Sequence, residues 1–205
     1  MSEKYYYYPG WIRVWHLLNA IFCLLLIVSG ISLQYSDANA PVIGFQRAIG
    51  IHNFCGVALT INYTLFFLGN MIRGNGRHYM IEMKGLGQRL WKQLYFYAFG
   101  VFKGEKAPFP VGKERKFNPL QQISYVIIMY VALPLLFITG WALLFPEFIL
   151  KRFLGFSGVF LSAQLHIAMG FLVSVFLIIH LYVSTMGRTV FSNFRSIMNG
   201  WQEVH

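Results

Sequence analysis

Four of the six histidines in this chain interrupt stretches that carry no Asp, Glu, Lys or Arg. His16 lies in the charge-free run Val14–Ser36, His52 in Ala48–Ile72, and His166 and His180 in Phe153–Gly187. Ionisable side chains are costly inside a membrane, and by default they mark a functional site. His166 and His180 share one segment, LSAQLHIAMGFLVSVFLIIHLYVSTM, Leu161–Met186. At 3.6 residues per turn their spacing is about four turns, so both imidazoles leave one helix face. At 1.5 Å per residue they stand ~21 Å apart along the axis, one near each side of a membrane.

The remaining two histidines match these depths. His52 is near the outer start of the second run, level with His166, and His16 is near the inner start of the first, level with His180. Zinc would ask for four ligands, or three and a water. No cysteine or carboxylate stands beside either pair in ligand-like spacing. Haem iron asks for two axial ligands, and protein histidine commonly supplies them. Two bis-histidine haems, one above the other, satisfy the arithmetic. Gly56 follows His52 by one turn and Gly170 follows His166 by one turn, on the same faces. They serve either as room for a flat macrocycle or as ordinary close-packing positions. Arg13, Arg47 and Arg188 flank the histidines. Their forked donors suit haem propionates, and they equally suit anchoring of helix ends. His78 and His205 read as surface residues.

The elements that must position these groups are four helices. A membrane-spanning helix needs about 20 apolar residues, and each of the runs Val14–Ser36, Ala48–Ile72, Phe117–Pro146 and Phe153–Gly187 holds one. The expected spans are about 12–34, 48–72, 120–145 and 161–186. Pro146 should stop the third, and Pro134 should bend it. The chain is 57% hydrophobic and 12% charged, half the charge of an ordinary soluble domain. This indicates an all-α integral membrane protein, a four-helix bundle forming one domain over 1–205. The N-terminal MSEKYYYYPGW lacks the pattern of a cleaved signal, so the first span is expected to be retained.

The net charge of +10 does not point to nucleic acid, because the basic residues flank the spans. Fourteen of the 17 Lys and Arg fall on the side that holds both ends and the loop 73–119, and three on the other. By the positive-inside rule both termini should be cytoplasmic. Within that basic loop, residues 80–104 mix aromatic and basic side chains. They read either as an interfacial amphipathic helix or as a loop that only sets topology. The outer aromatic segment PEFILKRFLGFSGVF reads as the interfacial start of the fourth span or as a docking platform. Cys23 and Cys55 form no C-x-x-C motif, which excludes zinc ribbons, cysteine-bound iron–sulfur clusters and covalent haem attachment.

At RVWHLLNAIFCLLLIVSGI (13–31), IGIHNFCG (49–56), FNPLQQISY (117–125) and LHIAMGFLVSVFLIIHLYVSTMGRTVFSNFRSIMNGW (165–201), the chain resembles a known group. These are the four-helix di-haem cytochrome b subunits of bacterial respiratory complexes, of the thiosulfate reductase, formate dehydrogenase gamma and nickel–iron hydrogenase types. The resemblance implies two haem b groups in the bacterial inner membrane, with His16 and His180 on the cytoplasmic-side iron and His52 and His166 on the outer iron. It implies electron transfer between the quinone pool (menaquinone or ubiquinone) and a periplasmic-side iron–sulfur or multihaem cytochrome subunit. Quinone would sit near the entry to the third span, at Asn118 and Gln121. Pro119 departs from the formate dehydrogenase pattern at that point. Two other readings are a stand-alone haem quinone reductase of the superoxide oxidase type and a histidine-lined metal transporter. The spans hold no acidic residue to accompany a cation, which weighs against the transporter.

Overall fold

The charge-free runs fold as helices in a computed structural model that describes residues 3–35, 42–110, 112, 115–149, 151–153, 155–187 and 189–204. Gly10–Tyr35 is α1 and Phe45–Ile72 is α2. A shorter helix, α3, covers Leu86–Tyr95 in the basic loop. The third span, Pro119–Leu144, is built from α4 (Pro119–Ile127), a π-helical turn (Ile128–Ala132) and α5 (Leu133–Leu144). The fourth is α6, Gly158–Ser184, and α7, Ser192–Asn199, follows. The four long helices are apolar enough to cross a membrane, so the protein is an all-α, multi-pass membrane protein. In α1 and α6 only 6% of the most apolar window is buried against protein, which leaves these faces for lipid or for an apolar cofactor.

The sequence accounts for the helix ends. Asn118 caps α4 by accepting from the Gln121 backbone N–H, and the Gln121 side chain accepts from the Asn118 N–H, a reciprocal capping box. Pro119 occupies the first helical position, where its missing N–H costs nothing. Pro134 has no N–H to donate to residue 130, and the π turn directly precedes it. Phe145, forced out of the helical region by Pro146, ends the span at φ −127° and ψ 71°. The fourth helix begins at Gly158 rather than near 161. Residues 80–104 do contain an amphipathic helix, α3, with Trp91, Leu94 and Tyr95 exposed.

Two compact units share the chain. One comprises Met1–Arg13, Gly69–Tyr130 and Ile179–His205, and the other Val14–Leu68 and Val131–Ile178. In the first, strand β1 (Glu3–Tyr6) pairs antiparallel with β4 (Trp201–Val204), Tyr6 opposite Trp201. Gly200 turns into β4 at φ 92°, a backbone that favours glycine. The Trp11 ring lies against Gly69, where an added Cβ would approach it to 2.8 Å. In the second unit, Ala48, Cys55, Leu59 and Phe66 form a buried stripe along α2. Trp15 stacks on Phe66 at 3.9 Å between ring centres, and the Asn62 amide donates to the Trp15 carbonyl. A hairpin, β2 (Arg152–Phe153) with β3 (Phe156–Ser157), leads into α6.

Candidate haem site

Within the second unit α2 carries His52 and α6 carries His166, and their rings face each other at 6.1 Å between centres, inclined at 65°. Two imidazoles on opposite sides of one iron, each with a metal–nitrogen bond of about 2 Å and about 1 Å more from nitrogen to ring centre, stand about 6 Å apart. The observed separation therefore fits one metal shared by two imidazoles. A Cβ built on Gly56 or on Gly170 would meet nothing within 4 Å among the described residues. These glycines are not spent on close helix packing, and they border open space on the faces that carry the two histidines. That open space has room for lipid or for a planar macrocycle.

Each ring is held from behind by the neighbouring helix. Ser29 of α1 stands 3.0 Å from His52 Nδ1, and Thr139 of α5 stands 2.9 Å from His166 Nδ1. The next residue in each case is glycine. A Cβ on Gly30 would reach His52 Cε1 at 3.4 Å, and one on Gly140 would reach His166 Cε1 at 3.2 Å. Ser29, Gly30, Thr139 and Gly140 escape sequence reasoning, because Ser and Thr in apolar helices commonly bond their own backbone. The available signal was the recurrence of a hydroxyl–glycine dipeptide in the first and third spans.

His16 and His180 fall in different units. Beside His16, two buried polar atoms have no hydrogen-bond partner among the described residues, Trp15 Nε1 and Asn19 Oδ1. Asn19 is about one helical turn from His16, on its face. Orphaned buried polar atoms normally signal a missing partner, so this region too has the features of a cofactor site. In the first unit the Tyr125 ring meets His180 edge-on at 6.0 Å.

The propionate candidates divide. Arg13 donates to the Met198 carbonyl of α7, so part of its guanidinium is committed to holding α7. Arg47 is exposed in the first turn of α2. Arg188 lies outside the described residues. Asn118 and Gln121 are brought together, but by the capping box, and the Asn118 amide also donates to the Tyr97 hydroxyl at 2.7 Å. Most of the polar capacity expected to meet a quinone is thus used within the protein.

Next to this cap lies a cavity of about 240 Å³ whose walls include His78, Arg115, Lys116, Phe117, Pro119 and Gln122. Lys116 is 5% exposed. Its amine donates to Asn75 Oδ1 at 3.3 Å and sits 5.0 Å from the Tyr8 ring centre. Burial pulls its pKa down to about 8. His78, expected at the surface, is half-buried instead, and burial with the nearby Lys116 and Arg77 charges pulls it down to about 4. Among the described residues no three His, Cys, Asp or Glu side chains gather as a metal cluster.

Apolar spanning helices with two imidazoles at a separation that fits one shared metal point to a membrane cytochrome of the b type. Comparison with known proteins agrees. The family described as Prokaryotic cytochrome b561 matches residues 7–200. The protein named "Putative cytochrome YdhU" of Escherichia coli (strain K12) is 38% identical over 98% of this chain and 75% of its own length. The "Probable Ni/Fe-hydrogenase B-type cytochrome subunit" of Rhodobacter capsulatus is 26% identical over 67% of this chain, which spans about half of that relative, 54%. The chain belongs to the prokaryotic cytochrome b561 family, and its work is haem-based electron transport in a membrane.

Proposed function

We propose that residues 1–205 form a single di-haem b-type subunit of a respiratory oxidoreductase complex, carrying electrons between an outer-face redox partner and the quinone pool. The observation that carries this reading is the 6.1 Å pairing of His52 with His166, which would hold the outer haem. His16 and His180 would hold the cytoplasmic-side haem, by their matched depths in the sequence. The histidine-bound irons supply one-electron chemistry, while this chain orients them and sets their surroundings. The relative named as a hydrogenase cytochrome subunit supports membership of a complex. The partner would be an iron–sulfur or multihaem protein, and the membrane the bacterial inner membrane, with both termini cytoplasmic by the charge asymmetry.

Quinone chemistry needs protons as well as electrons. The cavity beside Lys116 and His78 fits this need better than the capped amides of Asn118 and Gln121. Lys116 keeps donors beyond the one given to Asn75, and a pKa of about 8 lets it release and regain a proton near neutral pH. Phe117, on the cavity wall, packs edge-on against Tyr125 at 5.0 Å, and Tyr125 packs against His180. The quinone would thus react beside the cytoplasmic-side haem.

The test uses the native complex in sealed vesicles. Adding a quinol should reduce both haems, and an uncoupler should change the turnover rate. Moving one charge across 100 mV is worth about 2.3 kcal/mol, so electrons crossing between two haems must feel the potential. Haems that quinol cannot reduce, or turnover indifferent to the uncoupler, would contradict this mechanism.

A further inference from the structure

The geometry points to Ser29 and Thr139 as matched positioning residues that fix both ligands of the outer haem in the Nδ1–H tautomer and strengthen them as donors to iron. This inference rests on the proposed ligation by His52 and His166. The hydrogen-bond arithmetic decides the tautomer. A hydroxyl has one hydrogen to donate. Ser29 Oγ donates to the Leu25 carbonyl at 2.6 Å, and Thr139 Oγ1 donates to the Leu135 carbonyl at 2.7 Å. Facing an imidazole as well, each hydroxyl can only accept. His52 Nδ1 and His166 Nδ1 must therefore carry the proton and donate it. With Nδ1 protonated, Nε2 is bare on both rings, and it is the nitrogen left for a metal.

The device is built twice from one pattern. A hydroxyl–glycine dipeptide, Ser29-Gly30 or Thr139-Gly140, backs a histidine on the next long helix. That histidine is followed by glycine at the fourth position and a hydroxyl at the eighth: His52, Gly56, Thr60 and His166, Gly170, Ser174. Thr60 donates to the Gly56 carbonyl and Ser174 to the Gly170 carbonyl, both at 2.8 Å. The residue one turn after His16 is Ala20, and after His180 it is Ser184, so the other pair does not repeat the pattern. A histidine whose distal N–H is hydrogen-bonded is a more basic ligand and stabilises the oxidised metal. Ser29 and Thr139 would thereby lower the potential of the outer haem, each through the histidine it contacts.

The test compares the holoprotein with Ser29→Ala, Thr139→Val, their double variant, and the conservative pair Ser29→Thr and Thr139→Ser. Spectroelectrochemical titration gives both midpoint potentials, electron paramagnetic resonance gives the low-spin signatures, and His166→Ala identifies the outer haem. The expected result is a raised outer-haem potential in each hydroxyl-less variant, larger in the double, with the inner haem unmoved. Neither hydroxyl is itself a ligand, so a shift rather than loss of ligation is expected. Selective loss of the outer haem without the hydroxyls, reversed by the conservative variants, also supports the inference. An unchanged outer potential in haem-replete Ser29→Ala and Thr139→Val overturns it, as does the same shift in Thr139→Ser. If His166→Ala removes no haem, it is the ligation itself that fails.

Discussion

Lys116 shows how far one residue can depart from its sequence context. In the sequence it is one of many basic residues in the loop 73–119, with a topological role. In the structure it is buried beside Asn75, Tyr8 and Phe117, and its pKa falls to about 8 because burial penalises the charged form. The four membrane histidines were legible because an imidazole in an apolar run needs a reason. Lys116 was not, because its burial arises from contacts distant in sequence. The sign of its effect follows from the direction of the shift. Below about pH 8 the amine is protonated and can donate, and the proton is lost as pH rises through that value. Haem–quinone exchange should therefore fall through a step near pH 8 in the wild type. Lys116→Arg, which stays charged, should abolish the step. Lys116→Gln should slow exchange by roughly 10²-fold, the usual scale for losing a positioned acid, with haem spectra unchanged. Stopped-flow haem oxidation across pH 6–10, a range of about two units on either side of pH 8, checks this. A pH profile that is identical in all three proteins would remove Lys116 from the quinone chemistry.

At the scale of elements, helix count, approximate ends and the proline stop before Pro146 were readable from charge-free length and local sterics. The interior of the third span was not. A bend at Pro134 was expected, and the chain answers with a π turn over Ile128–Ala132. Gly56 and Gly170 were ambiguous in sequence, because close packing and cofactor room both call for glycine. In the structure Gly69 packs against Trp11, whereas Gly170 faces open space. Substitution should separate the two readings. Gly69→Ala should destabilise the protein by about 1–3 kcal/mol through overpacking and leave haem content intact. Gly170→Leu should preserve helix content, since leucine is the better helix former by about 0.5–1 kcal/mol, and yet exclude the outer haem. Circular dichroism, thermal unfolding and a pyridine haemochrome assay report all three properties. A fully haem-loaded Gly170→Leu protein would mean that the space beside Gly170 is not a cofactor cradle.

At the scale of the whole molecule, sequence conveyed an all-α membrane protein with paired histidines, because hydropathy and charge are cumulative along the chain. It did not convey the hydroxyl and glycine supports of His52 and His166, which depend on which helix stands behind which. The pairing of His52 with His166 is visible in one compact unit, while that of His16 with His180 rests on their matched depths. Haem stoichiometry in single-histidine variants tests both together. The wild-type protein, purified from haem-sufficient cells, should bind about two non-covalent, low-spin b haems per chain, one for each pair of axial histidines. His166→Ala and His180→Ala should each retain about one, and the two survivors should differ in midpoint potential. A wild-type protein with a single haem, or variants that lose the same haem or neither, would contradict the account.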